Sequence, residues 1–524
     1  MSENFSRGIR LRKAAVGGSK GVVAAQNQLA ADVGAGVLRQ GGNAVDAAIA
    51  TSFALGTVEP WMSGIGGGGL MVVWLAKERR VQVIDFTMVA STGLDLATYE
   101  LAKGGAASDL FGWPLVVEDR NVKGPHSIAV PGTVAGMELA HQTFASWSWD
   151  KLLAPAIELA DRGLLVDWFS TLKVTAAARD FAAQPTTRAT YLPDGFPLTP
   201  DMHNRPQRIK LGQLADTLRR LARAGARDYY EGEIAKLLAA DLKACGSTVG
   251  LDDLRRYRAS LVDPLSFDYG GGRIHAAPGL TAGPTLRNAM QRFSGKLRGK
   301  APDGPAFLAM AEAIMAANLD RFENLGDSKP GTCTSHFNVV DKEGNVVAWT
   351  QTLLSRFGSF VMSPSTGIVM NNGVMWFDPV PGKPNSIRGG AKPLSNMCPT
   401  VALSDRLGAV GIGASGGRKI MPAVAQILSF MVDFRMDLDR AFHTPRIDVS
   451  GPGSALVDRR LGGETLNGVA GTLTAAFTDL APYPAQFANP SAVQASPDRK
   501  FRGAADLASA WSGAVSETDL PELG

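Results

Sequence analysis

Thr332-Cys333-Thr334-Ser335-His336-Phe337-Asn338-Val339-Val340-Asp341 runs through Lys342-Glu343-Gly344-Asn345 into Val346-Val347-Ala348-Trp349-Thr350-Gln351-Thr352. Both arms alternate apolar and polar residues and are rich in β-branched side chains, and a Gly-Asn turn signal separates them. The stretch therefore predicts a β-hairpin. A loop over residues 341–345 has an allowed hairpin length and sets Val340 opposite Val346. Counting outward, Thr334 faces Thr352, with Cβ atoms about 4.5–5.5 Å apart. Two hydroxyls meet there. Slipping the register by one residue puts Cys333 on the Thr352 face instead.

The same residues carry a resemblance. Thr334-Ser335-His336, Val339-Val340-Asp341, Gly344-Asn345 and Thr350-Gln351-Thr352 resemble the processing-site signature of the γ-glutamyltransferase (γ-glutamyltranspeptidase) family of N-terminal nucleophile hydrolases. Gly41 to Leu70 resembles that family's N-terminal signature, and Ser127 to Gly163 resembles the helical part of its large subunit. The matched segments reach from about Gly21 to Val515. The resemblance implies a four-layer αββα sandwich and a precursor that cuts itself between Cys333 and Thr334. It also implies a heterodimer of fragments 1–333 and 334–524, intertwined in one catalytic domain, with Thr334 as nucleophile.

Composition bounds what else the chain does. In 524 residues, 45% are hydrophobic and 19% charged, ordinary values for a soluble globular protein with a good-sized core. A formal net charge of +4 with no long Lys/Arg block argues against nucleic acid as a partner. Cys245, Cys333 and Cys398 are too scattered for a disulfide framework or a CxxC metal site. Arg7, Arg10, Arg12 and Lys13 are not followed by an apolar h-region, and no apolar run is long enough to span a bilayer. The expectation is a cytoplasmic protein with no membrane partner.

Asn43 before Ala44–Leu55 is a good helix N-cap, with Asp46 in the first turn. Gly64, Gly66 and Gly69 match G-x-G-x-x-G, but a helix precedes and a strand follows, the reverse of a dinucleotide fingerprint. Strands are expected at Leu70–Leu75 and Val81–Phe86, and a helical hairpin over Arg208–Cys245 broken at Tyr229-Tyr230-Glu231-Gly232. A helix from Ala306 to Asn324 leads into a turn-rich linker, and Gly367–Asn372 reads as a strand and turn. Asp378 to Gly390 is suited to a lid, and the tail beyond Val515 reads as polar and loose.

A threonine hydroxyl needs a base within hydrogen-bond reach. Cleavage before Thr334 supplies one in the new α-amino group, whose ordinary pKa of about 7.7–8.0 suits the task. No histidine base, cofactor or metal is then required; His336 reads as a structural hydrogen-bonder, and no His/Asp/Glu spacing suits a metal. Thr352 is expected to orient the Thr334 hydroxyl or amine, and Gly416-Gly417 to offer backbone N–H groups to an oxyanion. The resemblance places Ser395, Asn396 and Asn372 at the substrate. Cleavage before Cys333, with its thiol as nucleophile, is the rival scheme.

The family's donor-binding residues are largely replaced. Thr87 stands where the resemblance expects an arginine for the donor's α-carboxylate, and Leu354 where it expects an asparagine. Gly373-Val374-Met375-Trp376 replaces a glutamine and an acidic residue. Burying a zwitterionic head without partners costs several kcal/mol. Arg356, Arg120, Arg388 and His126 are candidates for a different anionic group, and Trp376 and Phe377 for an apolar wall. The reading is a self-processing γ-glutamyltransferase-like enzyme, hydrolysing an amide with water or passing its acyl group to an amine. An acylase or small-amide amidohydrolase is the first alternative, and an unprocessed binding protein on the same scaffold the second.

Overall fold

The computed structural model describes residues 10–106, 114–201, 203, 205–326, 334–450 and 453–520. At its centre is the expected hairpin, Ser335–Asp341 against Val346–Thr352, with Val340 opposite Val346 and Ser335 opposite Gln351. Around it a seven-stranded antiparallel sheet runs in the order Gly513–Ser516, Gly21–Ala25, Ser335–Asp341, Val346–Thr352, Gly68–Leu75, Arg80–Phe86, Ser260–Val262. A second seven-stranded antiparallel sheet runs Val16–Gly18, Phe501–Ala505, Asn489–Ala495, Gly408–Ser415, Thr400–Ser404, Gly272–Ala276, Leu265–Tyr269.

Side-chain alternation decides what each face meets. Val22, Ala24, Leu70, Val72, Val340, Val346 and Ala348 of the first sheet pack on Val401, Ala409, Val493 and Phe501 of the second. Their neighbours Val23, Ala25, Met71, Val73, Val339 and Val347 turn the other way, onto helices Gln28–Arg39, Ala44–Val58 and Thr133–Phe144. On the outer face of the second sheet, Ile274, Ala402, Val410 and Ile412 pack on Gly283–Phe293, Gly304–Asn324 and Ile420–Val432. The result is four layers, αββα.

Asn43 caps Ala44–Val58 as expected: its side chain accepts the Asp46 N–H at 2.9 Å, and Asp46 accepts the Asn43 N–H at 2.8 Å. Two expectations are corrected. Residues 367–372 form only an isolated bridge, Met362 to Val369. Asn371 occupies its amide and backbone on the carbonyls of Gly66 and Ala129, so no ladder continues there. Nor is the chain loose directly beyond Val515, because Ser516 ends an edge strand and the buried Glu517 carboxylate accepts both Ser19 donors and the Lys20 N–H.

Candidate active site

Antiparallel pairing brings four chain positions to one rim of the first sheet. Thr352 pairs with Gly68 and Gly69 with Phe86, while Thr334 immediately precedes Ser335. With strands ~4.8 Å apart, Thr87 sits ~10 Å from Thr352 along this rim. Thr334 and Thr352 are both buried, and the Thr334 hydroxyl donates to Thr352 Oγ1 at 3.4 Å. Thr352 Oγ1 also accepts the Leu354 N–H at 2.8 Å, which fixes its rotamer. That turn holds Leu354 at φ +84°, a left-handed conformation costly for a bulky aliphatic residue.

The facing sheet reaches the same level. Gly413 lies against the His336 ring and Gly411 against Asn338, so two residues further on Ser415 stands level with Thr334. Gln26 ties the sheets together here: its Oε1 accepts the His336 N–H at 2.9 Å, and its Nε2 donates to Ser415 Oγ. The next residue, Gly416, has φ +138°, and a Cβ would lie 2.9 Å from Ala488 Cα, so only glycine fits. Gly417 opens a 3₁₀ turn into Ile420–Val432, at the positive end of that helix.

Ser395 and Asn396 are held by a buried guanidinium. Arg321 donates to the Ser395 carbonyl at 2.8 Å, Asn396 Oδ1 at 3.0 Å and the Thr281 carbonyl at 2.8 Å. Arg321, Asn396, Gly417 and Arg418 line one small cavity, which brings Asn396 beside the diglycine. The Asn372 amide is engaged within the protein, donating to the Val122 carbonyl and Ser355 Oγ and accepting the Ser355 N–H. Arg356 follows, half-buried, on the loop after Thr352.

One wall of the rim is apolar: Trp376, Met375, Leu354, Met397 and Met88 belong to a single buried cluster. Near it Asp85 Oδ1 accepts both the amide and the hydroxyl of Thr87, at 2.9 and 2.6 Å, while Oδ2 pairs with Lys392 Nζ at 2.7 Å. Arg120 is paired with Glu118 at 2.8 Å and Arg388 is exposed. His126 is pushed below its ordinary pKa by burial and then by Arg120.

His336 hydrogen-bonds Thr350 Oγ1 through Nδ1 at 2.8 Å, and burial lowers its pKa to about 3. It is neutral at physiological pH. Cys333 lies outside the described residues. Burial pushes the Cys398 thiol up to about 12. Among the described residues no cluster of three His, Cys, Asp or Glu is placed to hold a metal ion, and no helix is long and apolar enough to cross a membrane. A wide cleft opens at the opposite rim, beside the Glu343-Gly344 turn.

No motif of the sequence assigns a role to Gln26, Glu59 or Arg321. Arg321 carried a signal: it continues the buried stripe Met310, Ile314, Ala317 at helical spacing, where a charge is anomalous. Glu59 likewise stands alone between the apolar Ala44–Val58 helix and Trp61. Gln26 had none, since its partners come from distant strands.

The gamma-glutamyltranspeptidase family model matches residues 30–333 and 328–515. The chain is 29% identical over 493 residues to the glutathione hydrolase proenzyme of Bacillus subtilis strain 168, covering 82% of this chain and 81% of that one. It is 33% identical over 475 residues to the acylase ACY 1 proenzyme of Pseudomonas sp. strain SE83, covering 83% of each. The crystal structure of cephalosporin acylase from Bacillus halodurans superposes with a TM-score of 0.82 at 22% identity, over 98% of this chain and 99% of that one.

Proposed function

The chain belongs to the gamma-glutamyltranspeptidase family, and we propose that it is a self-processing amidohydrolase whose nucleophile is Thr334. The observation that carries the reading is the buried pair of hydroxyls, Thr334 Oγ1 and Thr352 Oγ1, 3.4 Å apart at the start of the central hairpin. Cleavage of the Cys333–Thr334 bond frees an α-amino group beside the Thr334 hydroxyl. That amine takes the hydroxyl proton as Oγ1 adds to the substrate carbonyl. The C–N bond then breaks, the leaving amine carries the proton away, and an ester remains on Thr334. Water adds to the ester, releases the carboxylic acid and restores the hydroxyl; an amine in place of water gives acyl transfer.

Thr352, held by the Leu354 N–H, orients the nucleophile. The Gly416 and Gly417 amides stabilise the oxyanion, and Ser395 and Asn396 contact the acyl group. Fragments 1–333 and 334–524 remain together as the working enzyme. Proenzyme names among the relatives support this reading.

A specific observation favours an acylase within this chemistry. Residues 373–376 are a buried turn with no acidic side chain, and Thr87 is committed to Asp85. A donor's ammonium group has no counter-charge there, whereas an acyl chain ending in a carboxylate needs only a cation such as Arg356. Glutaryl- and γ-glutamyl-p-nitroanilide differ only in that ammonium group. A kcat/KM higher by ~tenfold or more for the glutaryl compound is expected, with both activities absent in Thr334→Ala. The opposite order returns the amino-acid donor.

A further inference from the structure

Beneath the nucleophile, on the helix side of the sheet, lies a carboxyl group that the amide chemistry does not use. Strand alternation turns Ser335 away from Thr334 and towards the helices. There Ser335 Oγ donates to Glu59 Oε2 at 2.9 Å, and Glu59, the C-cap of Ala44–Val58, is only 4% exposed. The strand partner of Ser335 is Gln351. Its side chain donates to Ser63 Oγ at 3.1 Å and accepts from Trp349 Nε1 at 3.0 Å and from Ser52 Oγ. The outward pair Ser335 and Gln351 is thus anchored from below. Each is one residue from the inward pair Thr334 and Thr352.

We propose that Glu59 is a positioning residue: by gripping Ser335 it holds the Thr334 hydroxyl against the carbonyl it attacks, and its ionisation sets how firmly. This rests on Thr334 being the nucleophile. Burial raises the Glu59 pKa to about 7, partly offset by the Ser335 hydrogen bond and by Lys173 from the Trp168–Thr175 helix. Among the described residues those are the groups that act on it. An ionised carboxylate accepts the Ser335 hydroxyl more strongly than a neutral acid does, so the grip tightens as pH rises through that range.

Self-cleavage of the full-length precursor isolates the effect, because Thr334 has no free amino group before the cut. Precursor made by cell-free synthesis is chased from about pH 5 to 9 and followed on denaturing gels. The wild-type rate is expected to rise through about pH 7, and Glu59→Gln to keep the low-pH rate throughout. Glu59→Ala and Ser335→Ala should each slow cleavage by ~tenfold or more, and the double variant no further than either single one. Ser335→Thr, which keeps the hydroxyl, should restore the rate, a rescue that general misfolding does not allow. A Glu59→Gln variant with the wild-type rate and pH profile, or additive losses in the double variant, overturns the proposal while leaving Thr334 in place. A wild-type chain that never cleaves removes Thr334 as nucleophile and this role of Glu59 with it.

Discussion

The imidazole of His336 lies against the bare Cα of Gly413 in the facing sheet, where an added Cβ would stand 2.3 Å from ring carbon Cε1. This contact sets the spacing of the two sheets one step from Thr334 and Ser415. Gly413→Ala must push them apart or displace the ring. It should lower stability by ~2 kcal/mol or more, read from the denaturation midpoint, and slow self-cleavage by widening the rim.

His336 also predicts an acid limb. Its pKa in the folded chain is about 3, below the ordinary 6.5, because burial disfavours the charged ring. Between those values the unfolded chain binds the extra proton, so stability rises with pH there and is lost as pH falls. Denaturant unfolding of His336→Gln should show a flatter slope across this window than wild type.

Glu59 runs the other way. Its folded pKa of about 7 lies above the ordinary 4.5, so the native state holds the extra proton and stability falls as pH rises between them. Relative to wild type, Glu59→Gln should gain stability on going from pH ~5 to pH ~8, on the order of 3 kcal/mol at most. An unchanged difference across that range contradicts the buried carboxyl as titrating group.

Thr352→Val removes the hydroxyl that meets Thr334 and leaves the Leu354 N–H without its acceptor. Losing ~1–3 kcal/mol of such interactions predicts a ~10- to 100-fold lower kcat with little change in KM. Thr352→Ser keeps the oxygen and should retain most activity.

Arg321→Met leaves the Ser395 and Thr281 carbonyls and Asn396 Oδ1 without that donor. The cost is ~3 kcal/mol or more. Under conditions where the variant still folds, steady-state kinetics should show a raised KM as Asn396 moves.

The hairpin register was legible in the sequence because alternation and one turn determine it, and Ser335 opposite Gln351 followed by counting from Val340 and Val346. The layers were legible only through the family resemblance of the hairpin and its flanking segments; that both faces of each sheet are apolar is seen in the packing. Residues whose roles come from distant partners were not legible. Gln26 bridges strands far apart in sequence, and the Glu59–Ser335 contact spans 276 positions. Asn371 is the opposite case: its neighbours read as a strand, but its amide takes over the backbone bonds that a ladder needs.

Self-cleavage before Thr334 is read by intact-mass and N-terminal analysis of the purified wild-type chain beside Thr334→Ala. Two wild-type fragments are expected, the smaller beginning at Thr334 and running to Gly524, and a single uncut Thr334→Ala chain. A wild-type chain that stays whole on long incubation, or a fragment that begins at Cys333 or at any other residue, contradicts cleavage before Thr334.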